Sequence, residues 1–151
     1  MTTIYVDADA CPVKEEVYRV AARYGIPVVL VANSRLRVPE GGGVRLVVVA
    51  GGQLDSADDW IAGRAGATDI VVTADVPLAA RCVAAGARAL DPRGRAYTED
   101  SVGDHLATRN LMSHLREAGE ITGGGPAPLA KRERSLFLQK LDELVHQVRR
   151  Q

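Results

Sequence analysis

Aromatic residues are scarce in this chain: one Phe, one Trp and four Tyr make up 4% of 151 residues. That scarcity argues against a surface that stacks single-stranded bases on aromatic rings. Cysteine is scarcer still. Cys11 and Cys82 make no disulfide framework, as expected where thiols stay reduced. No apolar run approaches a membrane span, and no basic-then-apolar leader precedes the first strand. The expected location is therefore cytoplasmic, with no membrane partner. Net charge is lacking too, because 19 Lys/Arg balance 19 Asp/Glu. Affinity for nucleic acid does not follow from the total.

What is present is apolar: 46% of residues, with Val and Ala dominant, enough for one domain with a sizeable core. Charge is unevenly spread. Residues 1–75 carry seven Lys/Arg against ten Asp/Glu, whereas residues 130–151 carry six against three. An acidic half with a basic tail suits a held metal ion with phosphate near it.

Apolar periodicity predicts strands at Ile4–Val6, Pro27–Ala32, Val44–Ala50 and Asp69–Ala74, with a short fifth at Arg88–Leu90. The runs at 27–32 and 44–50 read as strands covered on both faces. Helices are predicted from Pro12 to Tyr24, over Leu54–Arg64 with Gly66 as its stop, over Val76–Ala85 and over Ser101–Ala118. A last amphipathic helix spans Leu129–Arg149, with Phe137, Leu141, Leu144, Val145 and Val148 inward. Residues 33–43 are a polar, glycine-rich loop, Pro92-Arg93-Gly94 a turn, and 119–128 a loop leading to the last helix. Alternating strands and helices define an α/β fold: a mostly parallel sheet of four to five strands with helices on both faces.

Five aspartates follow strands or open helices: Asp7, Asp9, Asp55, Asp58 and Asp75. A parallel sheet gathers strand ends on one edge. With the first strand central, the first and fourth become neighbours, and Asp7 and Asp75 flank the switch point where open α/β sheets bind ligands. Converging carboxylates raise one another's pKa unless a cation lies between them. Such hard oxygen donors suit Mg²⁺ or Mn²⁺ rather than zinc, an ion able to activate water against a phosphoryl group. Capping is the competing reading. Asp75 before Val76-Pro77, and Asp55 or Ser56 at the start of the second helix, are good N-cap positions, and Asp58 and Asp59 favour a helix dipole. Asp9 either caps the first helix or binds metal. Asp7 alone, finishing a buried strand, is not explained by capping.

The remaining reactive residues read more simply. A helix-start position lowers the pKa of Cys11, but no nearby His serves as its base, and both cysteines read as buried thiols. His105, His114 and His146 lack metal-ligand spacing, and Trp60 reads as packing. The candidates to meet substrate phosphate are Lys14, Arg93, Arg95, Arg109, Lys131, Arg132 and Arg134, with Asn33 after the second strand.

The runs VDADACPVK at 6–14, VAN at 31–33, TADVPLAA at 73–80, DPRGRAYT at 91–98 and TGGGP at 122–126 together resemble the bacterial YaiI/YqxD proteins, also called the UPF0178 or DUF188 family. The resemblance covers nearly the whole chain, in order. It implies one PIN-like domain over 1–151, a three-layer sandwich whose relatives by fold hydrolyse RNA or DNA with Mg²⁺ or Mn²⁺ held at strand ends. Asp7 and Asp75 match the strand-one and strand-four aspartates of such a site, and Asp9, Asp55 and Asp58 match acidic positions that complete it. Asn33 matches a polar position on the same edge. One glycine-rich loop has three glycines where two are usual, and Glu133-Arg134 stands in place of Asp-Arg; both departures lie outside the acidic set.

Three functions compete. In a metal-dependent nuclease acting on RNA, Asp7, Asp9 and Asp75 hold the ion and Asp55 or Asp58 orients water. A haloacid-dehalogenase-like phosphatase would use Asp7 and Asp9 as nucleophile and acid, with Thr73 as its second motif. Against it, Cys11 stands where Thr or Val is usual and a later paired-aspartate motif is missing. The third is a non-catalytic module binding metal or nucleic acid.

Overall fold

A computed structural model describes residues 1–49, 56–104 and 129–149. Its elements are β1 (Ile4–Asp7), a 3-10 turn (Ala8–Ala10), α1 (Lys14–Tyr24), β2 (Val28–Ala32), β3 (Val44–Val48), α2 (Ser56–Ala62), β4 (Ile70–Val72), α3 (Val76–Ala84), β5 (Arg88–Leu90), β6 (Ala96–Tyr97), α4, whose described part is 99–104, and α5 (Lys131–Arg149). The strands form one sheet in the order β3-β2-β1-β4-β5-β6, parallel except for the last pair. The chain thus winds from β1 to one edge, returns, and winds to the other, reversing between β1 and β4.

Alternation along each strand divides the core into two. Ile4, Val6, Val28, Leu30, Ile70 and Val72 face α1 and α5, which cover them with Val17, Val20, Phe137, Leu141 and Val145, joined by Val13 just ahead of α1. Val29, Val31 and Val71 face α2 and α3, against Ala57, Ile61, Leu78 and Cys82, with Tyr5 and Trp60 at the margin. Ala79, Ala89, Tyr97 and Val102 join α3 to β5, β6 and α4. The result is an α/β/α sandwich. No helix among the described residues is long and apolar enough to cross a membrane.

Several local expectations change. The strand at 44–48 is not covered on both faces: Arg45 and Val48 are exposed. Among the described residues it is the sheet edge, with β2 as its one strand neighbour, and a charged side chain there discourages edge pairing. Pro12 precedes α1 rather than opening it, because the 3-10 turn takes up the exit from β1 and the helix starts at Lys14. α1 ends as expected at Gly25, in the left-handed region at φ 65°, with its N–H on the Ala21 carbonyl. α2 stops at Ala62, ahead of Gly66.

β6 was not expected, since two residues show no periodicity. The Pro92-Arg93-Gly94 turn builds it: the Asp91 carboxylate accepts from the N–H groups of Arg93 (2.9 Å) and Arg95 (3.0 Å), folding the chain back antiparallel on β5. α4 begins at 99 rather than 101 because Thr98 and Ser101 cap each other. The Ser101 N–H donates to Thr98 Oγ1 (3.0 Å) and the Thr98 N–H to Ser101 Oγ (2.7 Å). α5 begins at Lys131, where Glu133 Oε1 accepts from the Ala130 N–H (3.1 Å), and its five expected inward residues are buried. The rest of the helix expected at 101–118, the loop 119–128, Asp55, His105, Arg109 and His114 lie outside the described residues.

Candidate functional site

The strand ladder fixes which side Asp7 faces. Val6 is paired with Val72, so the next residues along, Asp7 and Thr73, stand side by side where β1 and β4 end. Both follow the alternation onto the face of Tyr5 and Val71, toward α2 and α3. The buried Thr73 hydroxyl donates to Asp7 Oδ2 (2.9 Å) and accepts from the Asp75 N–H (2.9 Å). Asp75 then caps α3, its Oδ1 accepting from the Leu78 N–H (3.1 Å). From the other side, Asp9 Oδ2 accepts from the Asn33 N–H at the exit of β2 (2.9 Å). Asp9 therefore tethers β2 rather than capping α1, whose N-cap residue is Val13.

These residues line one pocket of about 350 Å³, formed by Asp7, Asp9, Cys11, Asn33, Ala57, Asp58, Thr73, Ala74, Asp75 and Pro92. Two other pockets, of about 320 and 380 Å³, have no carboxylate in their walls. Chemistry, not size, singles out the first. Burial lifts the Asp7 carboxyl above its ordinary pKa, and the charges of Asp75 and Asp9 lift it further, while the Thr73 hydrogen bond opposes the rise. Below the pocket, the Tyr97 hydroxyl donates to the Thr73 carbonyl (3.3 Å); burial pushes its pKa up to about 12, so it stays a donor.

Asp7, Asp9 and Asp75 share a pattern. Each has one oxygen fixed by a hydrogen bond, and the other accepts none among the described residues. No three His, Cys, Asp or Glu side chains among the described residues are gathered closely enough to hold an ion by themselves. Mg²⁺ does not require three: it binds through one or two carboxylates and keeps several waters. A set of tethered carboxylates with spare oxygens, one of them held at a raised pKa by burial and then by its neighbours' charges, fits such a cation.

The other candidates separate. Asp58 lines the pocket, whereas its neighbour Asp59 pairs with Arg81 at the surface (2.8 Å). Asn33 lines the pocket. Lys14, Arg93 and Arg134 do not, and each is committed within the chain. The Lys14 ammonium donates to the Cys11 carbonyl (2.9 Å), Arg93 pairs with Glu133, and Arg134 donates to the Pro12 carbonyl (2.6 Å) beside Glu16. Lys131 and Arg132 are exposed at the start of α5, and Arg95 is exposed after the β5–β6 turn. Cys11 lines the pocket, but burial raises its pKa, against the lowering expected at a helix start. Thr73 carries more of the site than the sequence reading gave it. Its signal was the ladder: a hydroxyl opposite a strand-end carboxylate.

The fold and pocket define a doubly wound α/β protein with an acidic cleft at its switch point. The chain belongs to the family described as the uncharacterised YaiI/YqxD family, DUF188, whose model matches residues 5–147. Similar proteins include a UPF0178 protein of Rhodopseudomonas palustris strain BisB18, 55% identical over 99% of this chain and 95% of its own length. Another, of Nitrobacter winogradskyi, is 54% identical over 97% and 92%. A third, of Rhodopseudomonas palustris strain HaA2, is 56% identical over 99% and 90%. No solved structure matches the chain.

Proposed function

We propose that the protein is a cytoplasmic metal-dependent nuclease that hydrolyses phosphodiester bonds of RNA. The observation that carries this reading is Asp7: a partly buried carboxylate crowded by Asp9 and Asp75, with one oxygen fixed and one spare, at the sheet's switch point. A fold does not keep such a group for its own stability, and a cation relieves its cost. The PIN-like placement implied by the resemblance agrees with a β1–β4 switch point.

Asp7, Asp9 and Asp75 would hold Mg²⁺ or Mn²⁺, which when bound makes water more acidic and neutralises charge on a phosphoryl oxygen. The chain's own part is positioning. Thr73 fixes Asp7, the α3 cap fixes Asp75, and the Asn33 N–H fixes Asp9. Asp58, on α2 and in the pocket wall, would orient the attacking water and take its proton.

The test is cleavage of a labelled RNA with and without Mn²⁺. We expect cation-dependent hydrolysis that falls by about two to three orders of magnitude in Asp7→Asn. Equal activity in both proteins would assign it to a contaminant. A phosphatase of the haloacid-dehalogenase kind predicts instead a trapped aspartyl-phosphate on Asp7 and turnover of chromogenic monoesters. Calorimetry without divalent-ion binding would leave the non-catalytic module.

A further inference from the structure

Of the six described cations expected to meet phosphate, Lys14, Arg93 and Arg134 are bound to the chain's own carbonyls and carboxylates, while Arg95, Lys131 and Arg132 are exposed but do not line the pocket. If the pocket acts on a polymer, cations beside its wall have to meet the backbone. Past the pocket-lining Asn33 the chain runs through Ser34-Arg35-Leu36-Arg37-Val38. Leu36 and Val38 pack against the α1/α5 core, while the alternate residues Arg35 and Arg37 are exposed. Neither arginine has an ion pair, hydrogen bond or ring contact among the described residues. The loop returns to β3 through Gly41, Gly42 and Gly43, at φ 74°, 68° and 76°, conformations only glycine adopts without strain.

We propose that Arg35 and Arg37 form a phosphate track that guides the backbone of an RNA strand past the Asp7 pocket, a reading that rests on the nuclease function above and names its substrate as a polymer. Chain geometry sets the reach: the Arg35 Cα lies within about 7 Å of the Asn33 Cα, because two residues span no more. With Leu36 and Val38 packed and Arg35 and Arg37 exposed, the two guanidiniums stand on the solvent side, their Cα atoms no more than about 7 Å apart, so they can take different phosphates, each with a bidentate fork. Two hydrophobic anchors hold the segment in place, so the arginines are presented by a braced strip rather than a free loop. Arg45 is also exposed, but it lies near the start of β3, toward the opposite end of the parallel strands from the pocket. A small monoester filling the pocket would not need the strip; a strand would.

The test measures binding of a fluorescent single-stranded RNA to the full chain in EDTA, over a range of salt. For Arg35→Ala/Arg37→Ala we expect affinity to fall on the order of tenfold at 0.1 M salt and the slope of log K against log[salt] to shrink by about 0.7 for each arginine lost. Arg19→Ala, an exposed charge on α1, should leave the slope unchanged. In Mn²⁺ the double variant should cleave RNA more slowly yet hydrolyse bis(p-nitrophenyl) phosphate at the wild-type rate, which also reports intact folding. An unchanged slope in a protein that still cleaves RNA overturns the track and leaves the nuclease. A lost slope in a protein that cleaves nothing keeps the track and removes the nuclease. Wild-type protein that binds no RNA overturns the track outright.

Discussion

The two faces of the sheet are built to opposite ends. On the α1/α5 face the core is large and aliphatic around Phe137 and Leu141, and its two helices are tied to each other through Arg134 with Glu16 and through the Tyr24 hydroxyl with Asp142 and His146. On the α2/α3 face the helices are short, the core leans on small residues such as Ala57, Ala65 and Cys82, and the carboxylates of Asp7, Asp58 and Asp75 gather at its rim. One face carries the larger aliphatic core, and the other gathers like charges that, with burial, make Asp7 harder to ionise.

That contrast can be broken in three places. The largest effect belongs to the thick face: Phe137→Ala should destabilise by about 3–5 kcal/mol, read as a lower denaturant midpoint, since the ring is fully buried. A loss below 1 kcal/mol would mean the α5 layer is not where stability resides. Next comes the cap at the rim. Asp75→Ala should cost about 1 kcal/mol, and Asp75→Asn, which keeps an acceptor for the Leu78 N–H, should recover most of it while still losing activity. Recovery of both together would make Asp75 a cap and nothing more.

The smallest effect has the opposite sign. Asp7→Asn should raise the melting temperature at neutral pH. The folded state lifts the Asp7 pKa above its unfolded value, so the wild type carries its penalty in full above the folded pKa. That penalty fades as pH falls through the folded value toward the unfolded one. The gain of the variant should therefore shrink on acidification, as parallel melts from pH 7 to pH 4 would show. A variant less stable than the wild type at every pH would mean the carboxylate helps to hold the fold.

Much of the scaffold was legible in the sequence. The continuous valine-rich runs, the alternation of strand and helix, and Gly25 as a stop led to a parallel sheet with β1 beside β4, and from there to Asp7 and Asp75 at one switch point. What could not be read depends on partners distant along the chain. Arg93 and Arg134 look like free cations in sequence; their anions come from Glu133 and Glu16, 40 and 118 residues away. β3 looked buried because its valines form a run, but burial depends on where a strand lies in the sheet. β6 is too short to show a period. Thr73 needed the register of β4 against β1, which no single strand contains.

Thr73 has one further consequence. A hydroxyl owns a single hydrogen. Here its oxygen already receives one from the Asp75 amide, so its own is directed to Asp7 Oδ2. The junction is therefore polarised, running one way from the backbone at the start of α3 to the end of β1. The Asp7 carboxylate and the Asp75 backbone, separated by most of the chain's first half, keep step through one oxygen atom. A valine at 73 would match the threonine in shape and uncouple them; a serine would keep them in time.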